Sequence, residues 1–93
     1  MSSVTVRIPT ALRAYADQQA RTEVEAKTVG DALHGLVDRH PALKAHLYDE
    51  RGQLRSFVNV YLGLKDVREL AGQDTPVSAG DTLIIVPAVA GGS

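Results

Sequence analysis

Val4, Val6 and Ile8 alternate with Thr5 and Arg7, the period-two pattern of a strand with one buried face. Pro9 ends it, having no N–H to donate to a ladder. Ala11-Leu12-Arg13-Ala14-Tyr15-Ala16 contains helix formers but is short and lacks a good cap, so Thr10 to Arg21 is expected to be a loop with at most one helical turn. Thr22, Val24 and Ala26 then alternate with Glu23, Glu25 and Lys27, which predicts a second strand with one charged face.

The period changes at Thr28. Its hydroxyl can cap a helix whose N3 residue is Asp31, and Val29, Leu33, Leu36, Val37 and His40 follow at the spacing that puts them on one side. This is an amphipathic helix ending near His40, because Pro41 cannot continue the hydrogen-bond ladder. Ala42 to Leu47 can form a further turn that buries Leu43 and Leu47. Asp49-Glu50-Arg51-Gly52 reads as a polar turn, and Leu54 to Leu62 has apolar residues on both phases, as expected of a strand in the middle of the sheet. Lys65 to Leu70 and Gly72 to Pro76 read as irregular. Gly80-Asp81 is a tight turn into a last strand, Thr82 to Val86, stopped by Pro87.

The order strand, strand, helix, strand, loop, strand defines an α+β fold of β-grasp arrangement. A mixed sheet carries one main helix across one face, and the first and last strands lie side by side in parallel through a right-handed crossover. Residues 1–87 form the domain, and residues 88–93 form a flexible C-terminal tail.

Composition narrows the function. The 93 residues hold 10 Lys plus Arg against 11 Asp plus Glu and no Cys, which suits one domain. Near-neutral charge with no long basic run argues against nucleic-acid binding. The absence of Cys excludes disulfides, thiolate zinc sites and a cysteine nucleophile. The longest apolar stretch, Leu83 to Ala90, is broken by Pro87 and falls short of the roughly 20 residues of a membrane span, so no membrane association is expected. The N-terminal segment has no basic region followed by an apolar one, and a cytoplasmic location is expected.

Candidates for catalysis are poor. His34, His40 and His46 are six residues apart, and six helical residues turn through about 600°, so they do not make a metal-binding face. His40 reads as a helix-end histidine donating to a nearby carbonyl. Asp31 and Asp38 read as solvated carboxylates, with Asp31 near the positive end of the helix. No serine lies in a Gly-x-Ser-x-Gly elbow, and no glycine-rich loop joins a strand to a helix. No catalytic residue, no metal and no bound cofactor are expected, and the chain does not read as an autonomous enzyme.

Two features remain. After the last strand, Pro87-Ala88-Val89-Ala90-Gly91-Gly92-Ser93 turns small and uncharged. One reading is a frayed terminus. The other is a substrate: two glycines let a tail enter a narrow groove of another protein, because the backbone can approach closely where there is no Cβ. A carboxylate at the end of such a tail is a poor electrophile until activated, for instance by adenylation with ATP and Mg in a partner's site. The second feature is the strand ending at Leu62. Val58, Val60 and Leu62 are expected to face the helix, leaving Phe57, Asn59 and Tyr61 on the opposite face as a partner-docking surface or beneath the Lys65 to Pro76 loop. Arg7, Arg55 and Arg68 read as solvated surface and carry no assigned role.

The stretch Phe57-Val58-Asn59-Val60-Tyr61, then Asp66-Val67-Arg68, then Gly80-Asp81-Thr82-Leu83-Ile84-Ile85-Val86-Pro87-Ala88-Val89-Ala90-Gly91-Gly92, resembles the MoaD/ThiS family of ubiquitin-like sulfur carriers over nearly the whole chain. The opening Val4-Thr5-Val6-Arg7-Ile8-Pro9-Thr10 and the ending make it most similar to the CysO type. The resemblance implies that an E1-like enzyme adenylates the Gly92 carboxylate and that a sulfur donor displaces AMP, leaving a thiocarboxylate on Gly92. It also implies that the tail Pro87 to Gly92 threads into partner sites. The acceptor implied is a PLP-dependent cysteine synthase or another biosynthetic synthase, including one of secondary metabolism, with a JAMM-type metalloprotease as a further partner. The family pattern ends at the second glycine, whereas this chain continues to Ser93. Either a protease removes Ser93 before activation or Ser93 is an added residue. The small subunit of molybdopterin synthase and a ubiquitin-like protein modifier are the alternatives that the same ending allows.

Overall fold

The computed structural model describes residues 2–87. Strand β1 (Ser2–Arg7) pairs antiparallel with β2 (Arg21–Ala26), from Ser2 opposite Ala26 to Arg7 opposite Arg21. As the alternation predicts, Val4, Val6, Thr22, Val24 and Ala26 are buried and the residues between them face out. The connection contains the expected short turn, a 3-10 helix over Thr10–Tyr15 that buries Leu12. It closes through Asp17 and Gln18, both with positive φ, a conformation uncommon outside glycine. The amide of Gln18 donates to the Arg13 carbonyl there, at 2.8 Å.

Helix α1 (Val29–Arg39) begins where Thr28 predicts. The Thr28 hydroxyl accepts from the Asp31 amide at 3.2 Å, and the Asp31 carboxylate accepts from the Lys27 amide at 3.3 Å. The cap is thus reciprocal, but its return bond falls one residue earlier than in the usual box. Val29, Ala32, Leu33 and Leu36 are buried against the sheet. Gly35 lets the helix approach β2, since a Cβ there would lie 3.4 Å from the Val24 Cβ. Beyond His40, a 3-10 turn (Pro41–Leu43) leads into the short helix α2 (Lys44–Leu47), and Leu43 and Leu47 are buried as expected.

The second half of the sheet corrects one expectation. Strand β3 spans only Val58–Leu62 and is not the middle of the sheet. Leu54 forms a separate bridge with Tyr48, and the Val58 amide donates to the Arg55 carbonyl, so the chain turns before the strand begins. Strand β4 is the two-residue Lys65–Asp66 and β5 is Thr82–Pro87. The order is β2-β1-β5-β3-β4, which puts β5 at the centre. It runs parallel to β1 (Thr5 opposite Thr82, Arg7 opposite Ile84) and antiparallel to β3 (Leu62 opposite Leu83, Val58 opposite Pro87). Gly80, with φ of 88°, makes the turn into β5, and the Ser78 amide is held by the Asp81 carboxylate.

Tyr48 is buried at the edge of the core, and its hydroxyl has no hydrogen-bond partner among the described residues. Burial pushes its pKa up to about 12. A buried hydroxyl without a partner costs roughly 1–3 kcal/mol, so Tyr48→Phe is expected to raise stability by about 1 kcal/mol in urea denaturation at neutral pH. The folded state holds the phenol proton more tightly than the unfolded chain. The parent should therefore lose stability as pH rises from 10 towards 12, and the variant should lose less.

Candidate functional site

Strand β5 joins the two halves of the sheet, and the sequence explains the geometry at its C-terminal end. Pro9 ends the run of β1, so its register with β5 stops at Arg7 opposite Ile84, whereas β3 accompanies β5 as far as Val58 opposite Pro87. The last residues of β5 are therefore laddered on one side only. On the open side lies a groove of about 380 Å³ lined by Arg7, Pro9, Thr10, Arg13, Val86 and Pro87. The Arg13 Nε donates to the Ile8 carbonyl at 3.0 Å, which fixes that side chain along the groove wall.

The outer face of the sheet beside this exit carries the predicted docking residues. Val58 and Val60 are buried and Leu62 packs against the core, while Asn59 and Tyr61 point outward, as the alternation predicts. Phe57 is 43% exposed but stands in the turn ahead of β3 rather than within it. Register adds two residues that sequence reading did not include: Ile84 lies opposite Tyr61 and Val86 opposite Asn59. Val86 is 41% exposed. An outward apolar row thus crosses from β3 to the last strand, and its signal was the alternation of Ile84 and Val86 with buried Leu83 and Ile85.

The Lys65 to Pro76 segment reaches this face through Arg68, and Phe57 stays 43% exposed. Val67 is buried in the core. Arg68 is exposed, as read from sequence, and its guanidinium also donates to the Asn59 side-chain oxygen and to Asp66, with an Asp66 contact at 3.2 Å. The Arg68 hydrogen bonds hold the Asp66 carboxyl below the usual carboxylate range. Asp66 also accepts from the Arg68 amide at 2.9 Å, so this polar cluster is a turn cap as well as an ion pair. Arg55 is likewise used locally, its Nε donating to the Ala45 carbonyl at 2.9 Å.

The histidines are dispersed. His34 is exposed beside Tyr48, and His46 stacks on Tyr15 with ring centroids 4.0 Å apart. His40 is buried, but its Nδ1 lies 3.6 Å from an Asp17 carboxylate oxygen. This replaces the expected carbonyl partner, because the left-handed turn at Asp17 brings an acid over the helix end. Among the described residues no group of His, Asp or Glu is arranged to hold a metal ion, and no helix is long and apolar enough to cross a membrane. The expected roles of Ala88, Val89, Ala90, Gly91, Gly92 and Ser93 concern positions outside the described residues.

A helix across a mixed sheet, with the last strand central and parallel to the first, defines a β-grasp, ubiquitin-like protein. The chain belongs to the ThiS family, whose sequence profile matches residues 6–92. It is 37% identical over 92 residues to the sulfur carrier protein CysO of Mycobacterium tuberculosis, covering 97% of this chain and 99% of that protein. It is 40% identical to the small archaeal modifier protein 1 of Haloferax volcanii over 70% of each chain. Among solved structures, a chain of the Amycolatopsis orientalis BexX/CysO complex superposes with a TM-score of 0.86 at 43% identity, over 96% of this chain and 99% of that one.

Proposed function

We propose that this protein is a sulfur carrier, a protein co-substrate rather than an enzyme, with Gly92 as the sulfur-bearing residue. The observation that carries this reading is that β5 ends at Pro87 on the sheet's rim while the family match runs on through Gly92. The domain supplies a rigid holder, and the chemistry belongs to residues beyond it. Adenylation joins a Gly92 carboxylate oxygen to the α-phosphorus of ATP and releases pyrophosphate. Sulfide then adds to the acyl carbon and AMP leaves, giving the thiocarboxylate. Both steps take place in an E1-like partner that supplies Mg and ATP. The absence of Cys is compatible with this route, because sulfur rides on the backbone terminus.

Ser93 blocks that carboxylate, and we take its removal to precede activation, with a JAMM-type metalloprotease as the proposed agent. The destination favoured by the similarity to CysO is cysteine synthesis on a PLP-dependent synthase. The similarity to a CysO chain in a BexX complex leaves a further biosynthetic acceptor as a second destination for the same carrier. Mass spectrometry of the protein purified from its host is the test. A mass gain of one oxygen-for-sulfur exchange at a Gly92 terminus supports the carrier, whereas attachment to lysines of other proteins supports the modifier reading that the Haloferax relative favours.

Partner docking is assigned to the outer row of Phe57, Asn59 and Tyr61, extended by Ile84 and Val86. Phe57→Ala is expected to weaken association with the activating enzyme by about 1–3 kcal/mol in calorimetric titration while leaving the melting temperature nearly unchanged, since Phe57 lies outside the core. An equal loss of fold stability would assign it to packing instead.

A further inference from the structure

We infer that Arg7, Arg13 and Arg21 form a basic collar around the root of the tail and dock against carboxylate side chains on the rim of the partner cleft that receives it. The inference rests on the carrier reading above. From Ala88 to Gly92 there are five residues, which reach at most about 18 Å when extended. A partner that holds Gly92 in its cleft must therefore cover the end of the sheet where Pro87 stands.

What stands there is basic. Arg7 lies at the same end as Pro87 because β1 and β5 are parallel, and Arg21 is its direct neighbour on β2. Arg13 lines the same groove as Arg7, Val86 and Pro87. Like charges directly opposite in an antiparallel pair are destabilising, so the Arg7–Arg21 juxtaposition does not serve the sheet. The ion pairs among the described residues are His40–Asp17 and Arg68–Asp66, and neither involves these three arginines. The outward acids of β2 recede from the tail root: Glu23 lies opposite Thr5 and Glu25 opposite Ser3. In a chain of formal charge −1, the outer face of β2 is thus polarised, positive at the Pro87 end of the sheet and negative over Glu23 and Glu25. The counter-charge missing from the domain is supplied by whatever covers this end. A cover that also holds the tail is a protein, and its anionic groups are aspartate and glutamate.

The test uses the full chain and the activating enzyme of the same organism, with affinity measured at low and high salt. Arg7→Glu and Arg13→Glu are each expected to weaken association about tenfold and to flatten its salt dependence. Arg7→Glu should keep or raise the melting temperature, because facing Arg21 it replaces repulsion with attraction. Arg13→Lys separates charge from the bond to the Ile8 carbonyl and should retain most of the affinity. Lys27→Glu, the same charge change beyond the far end of β2, should leave association unchanged. Unaltered affinity and salt slope in both glutamate variants would overturn the collar. If deletion of Gly91 and Gly92 still abolishes thiocarboxylate formation in that case, the carrier reading stands without it. If the deletion has no effect either, the reading beneath it fails as well.

Discussion

A chain shortened to end at Ala90 should emerge from incubation with ATP, Mg, the activating enzyme and a sulfur donor with no mass gain, while a chain ending at Gly92 gains the full oxygen-for-sulfur exchange. The loss is expected to be complete rather than graded, because the carboxylate that then ends the chain, on Ala90, stops two residues short of the partner's reacting phosphate. The shortened chain should nevertheless melt at the parent temperature, since the described fold closes by Pro87 and its core holds no residue beyond Ile85. A chain retaining Ser93 should react only after a protease has acted. Gly91→Ala adds a Cβ where a narrow cleft favours none, and should slow activation while leaving the terminal carboxylate intact. Equal sulfur loading of the Ala90-terminated and Gly92-terminated chains would sink the proposed function.

Leu83→Ala is expected to have the largest effect on the fold. Leu83 is fully buried on the central strand, opposite Leu62 on one side and Val6 on the other. Large-to-small substitution in such a site removes transfer free energy and leaves a cavity, together costing about 2–5 kcal/mol. Against a domain stability of roughly 5–15 kcal/mol, that leaves a marginal protein. The urea midpoint should fall sharply with little change in slope. Sulfur loading at low temperature should persist in the folded fraction, because Leu83 faces the core and not the partner.

These outcomes bear on how much was readable in advance. Strands β1 and β2 and helix α1 were legible because period-two and helical spacing are local properties, and the cap at Thr28 announced itself by Asp31 three residues on. The place of β3 was not legible. Apolar residues on both phases of Leu54 to Leu62 suggested a doubly buried strand, but Leu54 serves a bridge to Tyr48 and Phe57 belongs to a turn. The pairing of β5 with β1 was expected from the order of elements and is present; β5 becomes central because it also pairs with β3, and no window of sequence contains that second pairing. The outward row was half legible: Asn59 and Tyr61 followed from alternation, but Ile84 and Val86 join them only through the antiparallel register. Arg68 is solvated as read, but its bond to Asn59, nine residues away, was not legible. The Asp17 partner of His40 depends on a left-handed turn between two non-glycine residues, which no propensity announces.

The central placement of the final strand also bears on synthesis. Until residues 82–87 have left the ribosome, the β1–β2 hairpin and β3 have no common neighbour and the hydrophobic layer cannot close. A product terminated before β5 therefore lacks both the fold and the reactive extremity, and presents no folded surface with which to compete for the activating enzyme. Closure of the hydrophobic layer thus waits for the last strand to be made.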